Sequence, residues 1–334
     1  LKITVVICTY RRPDSLVRTL ASLADAEPPV KAEWLVLVVD NAACARTESN
    51  VLGFAHRLPI EYLVEPKAGL SHARNAAVAH LARAHPGPDY VIWTDDDVAV
   101  SPQWMRTYEA AFITHPEAAF FGGPVVPEFE GQPPAWLKAA LPLVGTAFAA
   151  VDLADQIEGG RLNLKYLPFG ANMAMRMREL QSRHFDVDRG RQPGHWLLSG
   201  EESELLREIC QSGGVGIWLP DASVAHWIDA ERQSLGYLRR YYKGLGITEA
   251  RAALAQTTTP GASITRLQHE LFATECKWLM GWLLRKPRVW VGALKKASRL
   301  RATIAAHREI SRTPHSKPGP KPDRQPGFGL ETEG

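Results

Sequence analysis

Tyr90-Val91-Ile92-Trp93-Thr94-Asp95-Asp96-Asp97 is an apolar run that ends in consecutive acids. Unbroken hydrophobicity of this length marks a strand buried on both faces, as in a parallel sheet. Ile3-Thr4-Val5-Val6-Ile7-Cys8 and Trp34-Leu35-Val36-Leu37-Val38-Val39 repeat the pattern, and Ile60-Glu61-Tyr62-Leu63-Val64 is a shorter example. Helix signals separate them. Arg11-Arg12-Pro13-Asp14 reads as a turn, and Asp14 or Ser15 caps a helix with Leu16, Leu20 and Leu23 on one face. A second helix starts near Ser71 and carries Ala73, Ala76, Ala77, Ala79 and Leu81. Strand and helix in alternation predict an α/β fold with a parallel sheet. Ligands of such sheets lie beyond the carboxyl ends of the strands, where Thr9, Asp40 and Asp95 to Asp97 fall.

The 334 residues suffice for a real core, with 45% apolar and 22% charged residues. Those figures exclude a disordered, collagenous or coiled-coil chain. Lys plus Arg is 39 against 36 Asp plus Glu, a net charge of +3, which gives no basis for a nucleic-acid binder. Cys8, Cys44, Cys210 and Cys276 are dispersed, with no metal-ribbon or disulfide spacing, as expected in a reducing compartment. The apolar run from Ile3 to Cys8 is too short for a signal peptide, and Ala139 to Val151 is broken by Pro142 and Gly145. A cytoplasmic location is the expectation.

Beyond residue 100 the pattern loosens. Residues 118–126 read as a strand with a glycine bend, 132–136 as a loop, 167–175 as a strand, and 215–219 as another. Ser199-Gly200-Glu201-Glu202-Ser203-Glu204 opens a helix through Leu205, Leu206 and Ile209. Residues 231–310 read as helical, and 313–334 as a disordered tail rich in Pro and Gly.

Four groups carry candidate chemistry. The acids at Asp95 to Asp97 are hard ligands for Mg²⁺ or Mn²⁺, or a solvated acidic turn. Lys67-Ala68-Gly69-Leu70-Ser71-His72-Ala73-Arg74-Asn75 is a phosphate- or ribose-holding helix start, or a capped helix with Arg74 facing solvent. Glu201 and Glu202 are candidate general bases, or acidic decoration of a first turn. His226 is a metal ligand or a structural histidine.

Taken together and in this order, the groups resemble an inverting family 2 glycosyltransferase over roughly residues 3–230. The resemblance runs through Val5-Val6-Ile7-Cys8-Thr9-Tyr10-Arg11-Arg12, Val38-Val39-Asp40-Asn41, Gly69 to Asn75, and Thr94-Asp95-Asp96-Asp97-Val98 with Pro102 and Trp104. It continues through Gly200-Glu201-Glu202-Ser203-Glu204-Leu205 to His226. It implies the GT-A fold, a Rossmann-like, nucleotide-diphospho-sugar transferase architecture. Its central, mostly parallel sheet is flanked by helices, with a helical C-terminal extension. The implied division is a catalytic domain at 1–230 (nucleotide-binding half 1–100, acceptor-binding half 101–230), a basic helical extension at 231–312, and the tail.

The resemblance also implies roles. Thr9 and Tyr10 lie beside the nucleobase, Asp40 bonds its edge, and Arg12, Arg74 and Asp96 join the nucleotide site. Asp97 binds Mn²⁺ or Mg²⁺, His226 completes the metal site, and Asp95 faces the ribose or the metal's water shell. Phe169, Gly170 and Asn172 line the sugar side, with Trp196 as a stacking platform. Glu202 is the base, Glu201 its reserve, although the family usually has Glu-Asp here. Asp40-Asn41-Ala42-Ala43 also departs from the family, lacking its second acid. The donor is a nucleoside-diphosphate sugar, UDP by default with GDP and dTDP open; the acceptor is a glycan, lipid-linked or small-molecule hydroxyl.

From Lys277 to Arg308 there is no acid, and Trp278, Trp282 and Trp290 punctuate the basic residues. This stretch reads as a helix on an anionic membrane surface, or as one packed on the catalytic domain. A nucleotidyltransferase would carry a Gly-rich loop where Thr9-Tyr10-Arg11-Arg12 stands. A non-catalytic module that binds sugar nucleotides or glycans competes with the transferase as a reading of the chain, and so does a membrane-associated scaffold.

Overall fold

The computed structural model describes residues 1–84, 87–188, 190–191, 200–256 and 264–312. The chain begins with β1 (Lys2–Thr9), α1 (Pro13–Asp25), β2 (Glu33–Asp40), α2 (Ala45–Gly53), β3 (Ile60–Val64), α3 (Leu70–Arg83) and β4 (Tyr90–Asp95). β1 pairs in parallel with β2 on one side and β4 on the other, and β2 pairs in parallel with β3. The direction of sheet building therefore switches at β1, which opens a crevice beyond the ends of β1 and β4. The register sets Thr9 opposite Asp40 and Cys8 opposite Asp95, so the polar strand ends are level.

The apolar runs are explained by two cores. Ile3, Val5 and Ile7 face one side, against Leu16, Leu20 and Leu23 of α1. Val6 faces the other, against Ala73, Ala77 and Leu81 of α3. α1 differs from expectation at its start. Pro13 occupies the first turn, Arg12 is the N-cap position without a side-chain bond, and Asp14 lies inside the helix.

Next come β5 (Val98–Val100), α4 (Trp104–Thr114), β6 (Phe120–Gly122), β7 (Val125–Phe129), α5 (Ala135–Val144), β8 (Arg161–Leu162), β9 (Asn172–Arg176), α6 (Met177–Gln181), α7 (Glu201–Gln211), β10 (Gly216–Trp218) and β11 (Val224–Ile228). The main sheet runs β3-β2-β1-β4-β9-β6-β10-β8, and β9 is antiparallel to both its neighbours. The strand expected at 118–126 is two strands in different sheets. β7 leaves the main sheet and joins β5 and β11 in a small one. Gly123 allows the break, because a Cβ there would overlap the Ala222 carbonyl. The strand expected from 167 begins only at Asn172, and the loop expected at 132–136 passes into α5 at Ala135.

The chain closes with α8 (Leu235–Gln256), α9 (Ile264–Leu283) and α10 (Pro287–Arg312). α10 packs against α8, α9 and α5. Leu137, Val144, Phe148, Tyr237, Tyr241, Tyr242, Trp290 and Leu294 form this third core. Of the two readings of the tryptophan-bearing basic stretch, Trp290 fits the one packed on the rest of the chain: it is a core residue.

Asn172 fixes where the strands end. Its Oδ1 accepts from Trp104 Nε1 and Tyr108 Oη, each at 2.9 Å, and its Nδ2 donates to the carbonyls of Pro124 (3.0 Å) and Ala222 (2.7 Å). The side chain is fully buried and saturated, so it is a joint between α4 and the two sheets and not the sugar contact expected of it. Asn172→Ala leaves these groups unpaired in a dry place. Urea unfolding should show a loss of at least about 3 kcal/mol.

Candidate functional site

A cleft of about 1190 Å³ opens at the carboxyl ends of β1 and β4. Thr9, Tyr10, Arg12, Asp95 and Asp96 stand on its strand side, Arg74, Glu201 and Glu202 on its helical side, and Phe169 and Gly170 also line it. Tyr241, Lys295 and Arg299 of α8 and α10 wall it as well, so the helical segment is part of the site. Trp196 lies outside the described residues.

The acids at the end of β4 have different surroundings. Asp96 is buried and accepts from Thr9 Oγ1 at 2.7 Å and Arg12 Nη1 at 2.6 Å. Burial outweighs Arg12 and pushes its pKa up to about 7, with Asp97 adding to the rise. Asp97 is equally buried, yet its carboxyl is held well below the ordinary range. Burial is opposed there by His226, Arg12 and Arg232. Arg12 Nη2 donates to Asp97 Oδ2 at 2.7 Å and Arg232 Nη1 to the same oxygen at 3.0 Å. Asp95 lines the cleft.

Topology delivers His226. β5 directly follows Asp97 and pairs with β11, with Val98 opposite His226. The Trp227 N–H also donates to the Asp97 carbonyl at 2.8 Å. His226 Nδ1 lies 2.7 Å from the Phe148 carbonyl, which can only accept, so Nδ1 carries the proton. Nε2 then points at Asp97 Oδ1, 3.3 Å away. A fixed Nδ1–H leaves Nε2 its lone pair, as a metal-ligating histidine needs, and a carboxylate beside it suits Mn²⁺ or Mg²⁺, but Nε2 also faces Arg232 Nη1 at 3.3 Å and neither His226 nor Asp97 lines the cleft. No group of three or more His, Cys, Asp or Glu among the described residues could hold a metal by itself. A cation here would take its remaining ligands from substrate phosphates and water.

The Phe148 carbonyl is itself held in place. The two carbonyls before it, at Thr146 and Ala147, accept from Tyr241 Oη and Tyr237 Oη of α8, each at 2.8 Å.

Across the cleft, Arg74 does not face solvent. Its Nη1 donates to Glu201 Oε1 at 2.8 Å, and Glu202 Oε2 is 3.7 Å away. Its guanidinium lies 5.3 Å from the Phe185 ring and against Gly170, where a Cβ would overlap it. Gly170 is therefore the space Arg74 occupies. Glu201 is buried; Glu202 is less so, and each has an Oε2 without a hydrogen-bond partner. Burial and the adjacent Glu202 push Glu201 up to about 8 against the pull of Arg74.

Asp40 is a correction. It is fully buried and lies outside the cleft lining. Its oxygens accept from the N–H groups of Ala42 and Cys44 and from Tyr62 Oη, each at 2.8 Å. It shapes the turn into α2 and is not free to meet a nucleobase edge. Asn41 does line the cleft, binding the carbonyls of Glu65 and Lys67 and the N–H of Gly69. Arg232 was not anticipated. Its one sequence signal is a cation shortly after His226, and its Nη2 is buried without a partner.

Residues 4–177 match the family described as Glycosyl transferase family 2. The chain is 28% identical over 249 residues, 73% of each chain, to the succinoglycan biosynthesis protein ExoM of Rhizobium meliloti (strain 1021). It is 24% identical over 251 residues to the glucosyl-dolichyl phosphate glucuronosyltransferase of Haloferax volcanii, covering 73% of this chain and 75% of that one. The mannosyltransferase PcManGT of Pyrobaculum calidifontis, solved with GDP-Man and Mn²⁺, superposes with a TM-score of 0.51 at 17% identity, covering 92% of this chain and 74% of that one. GalNAc-T7, solved with UDP, GalNAc and Mn²⁺, gives 0.50 at 14% identity over 80% and 53%. These likenesses establish the GT-A fold.

Glu201 keeps its proton up to about pH 8 in the folded chain, against an ordinary value of 4.5. The folded state binds more protons between those values, so this group's contribution is full below about pH 4.5 and is lost as pH rises to 8. Glu201→Gln should flatten the fall in stability between pH 5 and pH 8, gaining at least about 1 kcal/mol over wild type at the upper end. Urea titrations at the two pH values check this; an unchanged slope contradicts it.

Proposed function

Because the chain belongs to glycosyl transferase family 2, we propose that it uses a nucleoside-diphosphate sugar and transfers the sugar to an acceptor hydroxyl in one inverting displacement. Asp97 and His226 would hold the divalent cation, and Glu202 is the general base. The observation that carries this reading is one cleft with Asp95 and Asp96 on one wall and Glu201 and Glu202 on the other. A non-catalytic binding module gives no reason for that opposition.

Bound there, Mn²⁺ or Mg²⁺ would neutralise the departing diphosphate. Arg12, on the turn after β1, is the partner that yields Asp97, and its guanidinium then faces the phosphates. Arg232 Nη1, which lies 3.0 Å from Asp97 Oδ2 and 3.3 Å from His226 Nε2, would give way to the cation as well. Tyr10, with Thr9 beneath it, lies beside the nucleobase. Arg74 holds Glu201 and so fixes the start of α7. Glu202 sits in the first turn of α7 and lines the cleft. It takes the acceptor proton as the acceptor oxygen attacks the anomeric carbon. The bond to the diphosphate breaks on the opposite face, so an α-linked donor gives a β-glycoside.

The relatives' names point to saccharide and lipid-linked acceptors. A glycan, a lipid-linked glycan or a small hydroxylated molecule is the acceptor class, met in the cytoplasm at the inner face of the membrane. UDP is the default base, followed by GDP and dTDP.

Calorimetry with UDP, GDP and dTDP, each with Mn²⁺ and with EDTA, should show one diphosphate bound in a metal-dependent way. Asp97→Ala should abolish that binding; absence of binding in wild type under every condition overturns the proposal. Glu202→Gln should retain donor binding while the transfer rate falls by about 10²–10⁴. A rate within a fewfold of wild type would remove Glu202 as base.

A further inference from the structure

We infer that the corner between α9 and α10 is a docking surface for an anionic lipid bilayer. Phe272, Cys276, Leu279 with its neighbour Met280, and Leu283 recur at three- and four-residue spacings along α9 and so share one face. That face is exposed, with Phe272 at 70%, Met280 at 61% and Leu283 at 64%; Trp282 and Leu284 widen it at the helix end. The other face, with Thr274 and Gly281 buried and Trp278 half-buried, packs towards α10. The stripe is apolar surface left over after the helix has found its partner. No helix among the described residues is long and apolar enough to cross a membrane, so the stripe would lie in the interface and not span it.

Charge selects the occupant. Lys277, Arg285, Lys286 and Arg288 flank the stripe, and no acid occurs from Lys277 to Arg308. A symmetric second copy would bring these cations against themselves, whereas anionic headgroups complement them. The corner is also held in shape. The Lys286 N–H donates to the Gly281 carbonyl at 2.9 Å and the Arg285 N–H to the Trp282 carbonyl at 3.0 Å, a Schellman pairing. Arg285 takes the left-handed position, φ 52°, where glycine is usual, so a cation stands where the backbone would prefer none.

α10 leads from this corner to the cleft. Arg288 and Lys295, which lines the cleft, are about 10 Å apart along the helix axis at 1.5 Å per residue. A docked chain would hold its cleft within reach of the headgroup of a lipid-linked acceptor. That consequence rests on the transferase reading; the docking surface does not.

The test is co-sedimentation of the full chain with phosphatidylcholine vesicles and with mixed phosphatidylcholine–phosphatidylglycerol vesicles. Binding should require the anionic lipid. Arg285→Gly relieves the turn, so the fold persists while the partition constant falls about fivefold. Trp282→Ser combined with Leu283→Ser should lower it at least about tenfold. Three results overturn the inference: no binding to mixed vesicles, undiminished binding by both variants, or self-association in free solution that the serine pair abolishes. Nucleoside-diphosphate calorimetry on the same preparations separates this outcome from failure of the transferase reading.

Discussion

The Asp97 carboxylate accepts from Arg12 and Arg232 and lies against His226 in a place closed to water. A buried charge without partners is prohibitive, so the segments that carry these partners must arrive together. Arg12 comes from the turn after β1, Asp97 from the end of β4, and His226 and Arg232 from β11 and the turn beyond. The small sheet exists at the right place because β5 begins immediately after Asp97 and finds β11. On the facing wall the buried charge is the Arg74 guanidinium, and it ties α3 to α7 through Glu201 and Glu202. Each cluster of acid is balanced by a cation from a different element, and the cleft is what remains between the balanced groups.

The first hundred residues were legible in the sequence because their strands are buried on both faces. Such strands write continuous apolar runs that no amphipathic helix imitates, and acids at their ends mark the crevice. α5 was not legible. Pro142 and Gly145 read locally as breakers, while Leu137 and Val144 are apolar for the sake of Trp290 and Leu294, about 150 residues further on. The 118–126 run misled for a related reason. Its apolar character is real, but it serves two sheets, and Gly123 turns the chain between them.

Candidate site residues divide in the same way. Acids that close a buried strand and a histidine that follows another are visible in the pattern of the sequence. Whether a polar side chain remains free is a different matter. Asp40 and Asn172 fit a ligand-binding pattern, yet Asp40 is taken up by its own turn and Tyr62, and Asn172 by neighbours from other segments. Arg232 shows the converse: it lies in a stretch that reads as an appended helix, and only the pairing of β5 with β11 brings it to Asp97.

The row of carbonyls at Thr146, Ala147 and Phe148 has a consequence for how such proteins can be recombined. Tyr241 and Tyr237 hold the first two, and the third sets which nitrogen of His226 bears hydrogen. The protonation pattern of a strand-end histidine is thereby dictated by a helix that begins after it in the chain. A chimera joined at residue 230 would inherit His226 without the hydroxyls that align its partner. The unit that fixes this histidine's geometry therefore extends at least through Tyr241.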